Sequence, residues 1–259
     1  MHYDSIKDKF AAVIERSAFL RKLFYLALDM LFLRQWYIKR EIKRNFPKNK
    51  KLCFYDAGAG FGQYSWFVLQ NWSAAQVHAV DLKTNYMDSF VKFASKYFPT
   101  KISARQADLT AYVPEQQYDL VVASDILEHI ADDRQVLINF RKALKPGGKL
   151  IISTPSNFDE SAKFVAEHVR PGYSKEELTE KLQTAGFKVK NFTYSYGFWG
   201  HLYWILCLKL PLSLVQKFKP FLVLLPFYYL PVYPVGALFM QLDMLKDNKQ
   251  GTGIIVVAE

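Results

Sequence analysis

Asp125, Glu128 and His129 lie in the stretch Asp125-Ile126-Leu127-Glu128-His129, directly after an apolar run. On a short helix, positions i, i+3 and i+4 share one face, so two carboxylates and an imidazole would converge. Oxygen donors with one imidazole suit a hard divalent cation such as magnesium or manganese. His129 would also serve as a proton acceptor, or would only shape a neighbouring pocket. A second cluster, Glu167-His168-Val169-Arg170-Pro171-Gly172-Tyr173, offers His168 as a general base, with Arg170 or Tyr173 orienting an acceptor oxygen. Arg170 would equally hold its loop by pairing with a carboxylate. The third feature is the run Asp56-Ala57-Gly58-Ala59-Gly60-Phe61-Gly62. Glycine at every second position lets the backbone approach a ligand closely and turn sharply into a helix N-terminus.

These groups need a frame, and the hydrophobic pattern supplies one. Short apolar runs at 52–55, 77–80, 101–106, 118–124 and 149–154 alternate with helical stretches ending near Asn71 and spanning about 84–97 and 132–145. Lys145-Pro146-Gly147-Gly148 stops the last of these helices. Strand and helix in alternation predict an α/β parallel sheet covered on both faces. Ser174 with Glu177 three residues on forms a capping box, Gly186 closes that helix, and strands at 187–196 and 253–259 complete the set. Residues 5–45 read as helical: Phe10, Val13, Ile14, Leu20, Leu23, Phe24, Ala27 and Leu31 recur at helical spacing, and interrupting charges fit a helix lying flat on something apolar.

The dinucleotide fingerprint G-x-G-x-x-G is the rival reading of the glycine loop, and it fails, because Gln63 stands where its last glycine belongs. Asp56 would also repel a pyrophosphate, whereas a sulfonium would be attracted. That favours S-adenosylmethionine over NAD and weakens an oxidoreductase reading. From here the chain resembles the class I S-adenosylmethionine-dependent methyltransferases, over about residues 51–196 and 252–259, with the motifs in the family's order. DAGAGFG (56–62) is similar to the first motif, which would place Asp56, Gly58, Gly60 and Gly62 at the cofactor. The resemblance implies that Asp81, with Leu82 beside it, meets the ribose hydroxyls, and that Asp108 and Leu109 meet the adenine. YDLVVASDILEHI (118–130) is similar to the fourth motif, which brings Ser124 and Asp125 to the methionine part. The D/E-x-x-E-H pattern resembles that of ubiquinone-biosynthesis O-methyltransferases and implies a divalent-metal role for Asp125, Glu128 and His129. The implied fold is Rossmann-like: a seven-stranded sheet with a terminal antiparallel hairpin, N-terminal helices over 1–50, a domain over 51–259, and an insert over 198–248 between the last two strands.

The insert has a different composition. Residues 198–242 hold eleven aromatics and three lysines with no Asp or Glu, and 220–242 are uncharged throughout. Pro220, Pro226, Pro231 and Pro234 are expected to break a helix there. The flanking strands share one sheet, so the chain crosses a bilayer twice or not at all, and a surface-lying or re-entrant lid is the expectation. A buried cap or a dimer seam is the alternative. Eight basic residues between Arg34 and Lys51 face Glu41 alone, a balance suited to an anionic membrane surface or to a solvated face. Basic residues that accompany an apolar insert speak against nucleic acid as the partner. The overall balance, 51% hydrophobic and 22% charged, excludes a disordered or collagen-like chain. Cys53 and Cys207 alone exclude a disulfide framework and a four-thiolate zinc site. Met1 to Phe10 shows no secretory signal pattern, so the expected location is cytoplasmic, peripheral to the inner face of the cell membrane. The expected activity is methylation, at oxygen, of a hydrophobic small molecule such as a quinone, a lipid or a polyene. A non-catalytic S-adenosylmethionine-binding membrane scaffold is the competing class.

Overall fold

A computed structural model describes residues 14–15, 17–159 and 168–259. Phe10, Val13, the Met1 to Phe10 stretch and Glu167 lie outside the described residues. The apolar runs become β1 (Leu52–Ala57), β2 (Ala75–Asp81), β3 (Ile102–Gln106), β4 (Tyr118–Ser124), β5 (Leu144–Pro155), β6 (Val189–Ser195) and β7 (Gly253–Ala258). They form one sheet in the order β3-β2-β1-β4-β5-β7-β6. β1 to β5 are parallel, and β7 runs antiparallel between β5 and β6. Successive side chains point to opposite faces, so the sheet has two cores. One face carries Phe54, Leu120, Ile151 and Val257, and the other carries Tyr55, Val121, Ile152 and Val256.

Helices α1 (Ala18–Leu31), α2 (Leu33–Asn45), α3 (Gln63–Asn71) and α4 (Thr84–Ala94) help cover the first face; α5 (Asp133–Ala143) and α6 (Lys175–Thr184) cover the second. The helix expected over 5–45 breaks at Phe32, whose φ of −124° and ψ of 106° are extended. Leu33, Tyr37, Ile38 and Ile42 of α2 are buried in the same core as β1 and β4, so the N-terminal segment is built into the sheet's packing. α1 lies on the glycine loop: the Tyr25 hydroxyl donates to the Phe61 carbonyl at 2.6 Å, and buried Arg21 donates to that carbonyl and to Ser89 Oγ. Ser174 caps its helix, with its Oγ accepting from Glu177 N at 3.1 Å, while the Glu177 carboxylate pairs with Lys181 at 3.0 Å.

The insert is a helical hairpin. α7 (Phe198–Trp204) passes through a π turn (Ile205–Lys209) into α8 (Leu210–Lys217); the chain reverses at Phe218 to Pro220 and returns as α9 (Phe221–Leu245). α9 runs without a break through Pro226, Pro231 and Pro234, contrary to the expectation that they would interrupt it. Each proline removes one hydrogen bond, and the rest of a 25-residue helix holds. Pro211 explains the π turn, because its missing N–H and its ring release the Cys207 carbonyl. The Tyr229 hydroxyl donates to that carbonyl and Tyr228 donates to the Leu206 carbonyl, each at 2.6 Å. Phe198–Lys217 and Phe221–Leu245 are both long and apolar enough, by length and composition, to cross a membrane.

Candidate active site

In this strand order the chain path reverses between β1 and β4, and ligands of open α/β sheets bind beyond the strand C-termini at such a point. The glycine loop leaves β1 there. Gly62 enters α3 with φ +77°, and a Cβ on it would meet the Phe90 ring at 2.5 Å. Gly60 has φ +52° and a Cβ on it would meet nothing within 4 Å, so this glycine answers to backbone shape and not to packing. Its N–H donates to Asp81 Oδ2 at 2.8 Å, while Asp81 Oδ1 accepts from Lys83 N at 2.9 Å. The loop and the acidic end of β2 are thus one unit. Leu82 beside it is exposed.

Asp56 lies deeper than the sequence suggests. Its Oδ2 accepts from Ser65 N at 3.1 Å and Ser65 Oγ at 2.6 Å, which secures the first turn of α3. Burial pushes its carboxyl up to about 7, against the pull of the Ser65 bonds. The folded chain therefore keeps a proton that the unfolded chain has released over the interval from about pH 4 to about pH 7. Stability contributed by Asp56 is fully present below this interval and is lost as the pH rises through it. Asp56→Asn, which keeps an acceptor for Ser65, is expected to gain on the wild type in melting temperature from about pH 4 to about pH 7. Thermal denaturation across that range would show parallel curves if Asp56 were not the source.

Asp108 is exposed, and bonds from Thr110 N and Oγ1, each 2.8 Å, hold its carboxyl below the usual range. Leu109 is buried, and its carbonyl accepts from Asn139 Nδ2 at 2.9 Å. At the end of β4, Ser124 Oγ is 3.3 Å from the Tyr64 hydroxyl. Asp125 has φ +52° and pairs with Arg34 of α2 at 2.7 Å, while Ser153 Oγ donates to its other oxygen at 3.2 Å.

That pairing corrects the expected metal set. Leu127–His129 is a single 3-10 turn, and Asp125 stands before it in the left-handed region, so no helical face unites Asp125 with Glu128 and His129. The group that does converge is Glu128, His129 and His168, one ligand atom from each lying within 4.8 Å of the others. The two imidazoles meet edge-on with centroids 4.7 Å apart. Glu128 is buried, accepts from Thr154 Oγ1 at 3.0 Å, and is pushed up to about 8 by burial, with Asp125 adding to the effect. Two imidazoles and one carboxylate fit a borderline divalent ion such as zinc, manganese or iron(II) better than magnesium.

Arg170 and Tyr173, expected to orient an acceptor, are engaged elsewhere. Arg170 Nη1 donates to the Leu127 and Ile130 carbonyls, both at 2.8 Å, and lies 2.9 Å from Asp133 Oδ2; its Nη2 donates to the Ala131 carbonyl at 2.9 Å. Tyr173 is fully buried and its hydroxyl donates to Asp133 Oδ2 at 2.6 Å. Lys181 reaches the same oxygen at 2.6 Å. Both are positioning residues that fix the turn carrying Glu128 and His129. Arg34 is the site residue that the sequence reading missed. It stands one helical turn before buried Ile38, on the inward stripe of α2, and that spacing was the available signal.

The hairpin rises from the same edge. β6 is parallel to β5, so Ser195 ends beside Pro155, and Gly253 of β7 pairs with both. Buried Asp243 in the last turns of α9 anchors the hairpin's foot, accepting from Tyr37 at 2.8 Å, Gly200 N at 2.9 Å and Tyr196 N at 3.1 Å. Beyond this foot the side chains are bare: Val223 is 75%, Phe227 72% and Leu230 78% exposed. Within this chain the insert is therefore no buried cap.

A seven-stranded sheet of this order, with a glycine loop bonded to the acidic end of the next strand, defines the Rossmann-like class I methyltransferase fold. Residues 55–150 match the Methyltransf_12 family, a methyltransferase domain. The chain is 29% identical to trans-aconitate 2-methyltransferase from Azoarcus sp. (strain BH72), over 47% of this chain and 46% of that protein. It is 30% identical to ubiquinone biosynthesis O-methyltransferase from Rickettsia prowazekii (strain Madrid E), over 53% and 54%. The chain spans about half the length of these curated relatives. Phosphoethanolamine N-methyltransferase 2 of Haemonchus contortus, solved in complex with S-adenosyl-L-methionine, shares the fold with a TM-score of 0.59 at 22% identity, over 86% of this chain and 52% of that one. The protein carries a class I S-adenosylmethionine-dependent methyltransferase domain. The cofactor of that domain is S-adenosylmethionine, and the loop, Asp81 and the exposed Asp108 form a donor and acceptor set that fits it.

Proposed function

We propose that this protein methylates an oxygen of a hydrophobic small molecule at the cytoplasmic face of a membrane, with its hairpin in contact with lipid. The observation that carries this reading is the bare apolar hairpin on the same sheet edge as the glycine loop. An acceptor dissolved in the bilayer, such as a quinone, a lipid or a polyene, would then reach the site without crossing water. The basic segment of α2 at the hairpin's foot matches the charge preference of cytoplasmic membrane surfaces.

S-adenosylmethionine, when bound, supplies an electrophilic methyl carbon with a good leaving group. The chain has to align the acceptor with it and receive the hydroxyl proton. Asp81 and Gly60 would fix the cofactor's ribose end, and Arg34 holds Asp125 beside the methionine end. His129 and His168 are the bases within reach of one another, and either would receive the acceptor's proton. A divalent metal, held by Glu128, His129 and His168, would lower the acceptor's pKa.

The membrane reading is tested by Phe227→Asp with Leu230→Asp, which touches two exposed side chains and spares the core. Each charge opposes burial in lipid by about 2.5–3.5 kcal/mol, so sedimentation with phosphatidylcholine vesicles is expected to fall at least tenfold. Cofactor affinity by calorimetry is expected to stay unchanged. Undiminished sedimentation would remove the hairpin as the anchor.

A further inference from the structure

A groove of about 460 Å³ opens where the hairpin joins the body, between the end of α1, one face of α2 and the last turn of α9. Lys39, Arg40, Lys43 and Arg44 line it, with Asp29, the Trp36 indole and Met244. Its charges are only partly balanced. Lys39 pairs with Asp29, while Arg40 at 3.0 Å and Arg44 at 3.3 Å share the buried Glu41 carboxylate. Lys43 stands over the Phe67 ring, 5.5 Å from its centroid, and pairs with no carboxylate among the described residues. Four cations against Asp29 and Glu41 leave two positive charges in excess. Burial holds the Lys39 ammonium below its usual range despite Asp29, and Lys43 beside it adds to the effect. Arg40 also donates to the Met244 carbonyl at 2.6 Å, which ties the basic face to the C-terminal turn of α9.

The groove therefore combines an excess of positive charge with an indole, and the helix that lends it Met244 also carries the exposed apolar side chains Leu238 and Leu245. We infer that it is a binding site for the phosphate headgroup of an anionic phospholipid, whose acyl chains lie along α9. This rests on the membrane reading above. A free phosphoester would find the same charges but leave those apolar side chains uncovered, so the lipid is the occupant that uses both. Arginine and lysine suit the phosphate oxygens, and tryptophan suits the headgroup level.

The test compares vesicles of phosphatidylcholine alone with vesicles holding about one part phosphatidylglycerol in four, at about 0.15 M salt. Three full-length proteins are used: wild type, Lys43→Gln/Arg44→Gln, and Lys48→Gln/Lys50→Gln. The last pair are exposed cations of the same segment outside the groove. Wild type is expected to bind the anionic vesicles at least about fivefold more tightly, the groove variant to lose that preference, and the control pair to keep most of it. Unchanged cofactor affinity would show that the variants fold. Equal loss in both variants would overturn the site in favour of diffuse surface charge. Equal binding of wild type to both vesicles would overturn it while leaving the membrane reading intact, whereas no binding to either would fail both. Inorganic phosphate and glycerol phosphate are titrated without vesicles. Saturable binding of either, abolished in the groove variant, would reassign the groove to a soluble phosphoester.

Discussion

Asp81→Ala is expected to weaken S-adenosylmethionine binding on the order of a hundredfold or more while the protein stays folded. The carboxylate ends β2 and faces the glycine loop, accepting from Gly60 N and Lys83 N. Two hydroxyls bonded to a charged acceptor contribute roughly 1.5–3 kcal/mol each, and the alanine variant loses both. The side chain is only half-buried, so its removal leaves no cavity in either core. Gly60 N then faces solvent or ligand, which costs little. Calorimetry with the cofactor, beside a circular dichroism melt, separates binding from folding. Undiminished affinity would remove Asp81 from the ribose position.

The second large effect lies under the turn that carries Glu128 and His129. Asp133 is buried and receives Arg170, Tyr173 and Lys181 on one oxygen. Asp133→Ala strands two mostly buried cations and a buried hydroxyl, and breaking such a network by removing one partner costs about 3–5 kcal/mol. The melting temperature is expected to fall by roughly ten degrees. The turn Leu127–His129 loosens with it, because Arg170 ties down the carbonyls of Leu127 and Ile130. Tyr173→Phe, which removes one hydroxyl and keeps the ring, is expected to cost about 1–3 kcal/mol and to retain cofactor binding. If Tyr173 instead met the acceptor directly, the phenylalanine variant would lose turnover with no change in melting temperature.

All seven strands were legible: the central ones because strands covered on both faces read as short apolar runs, as in Leu52 to Tyr55 and Val77 to Val80, and the more polar edge strands β3 and β6 from their place in the alternation. Ser174 and the glycine loop were legible because capping and tight turns depend on neighbours in the chain. Of the two roles open for Arg170, the structure takes the pairing with a carboxylate, Asp133, and what the sequence left undecided depends on distant partners. Arg170 meets the turn at Leu127, 43 residues earlier, and Tyr173 meets Asp133 across 40. No local pattern encodes either pairing. Asp125 was drawn into the wrong set by a helical spacing that the chain does not adopt, and its positive φ turns it toward Arg34. The residue that joins Glu128 and His129 instead, His168, was visible as a loop histidine, but its approach to His129 is again a tertiary contact. Prolines misled in α9 because their local cost is real, while tyrosine hydroxyls and the remaining helical bonds preserve the hairpin.

The central claim, methyl transfer to a lipid-soluble acceptor, is tested by incubating the full chain with methyl-labelled S-adenosylmethionine and a total membrane lipid extract. The expected result is label in an organic-soluble product, at a rate that falls with Phe227→Asp/Leu230→Asp and vanishes with Asp81→Ala. Intact cofactor binding with label confined to water-soluble products, or with no label transferred, would contradict it.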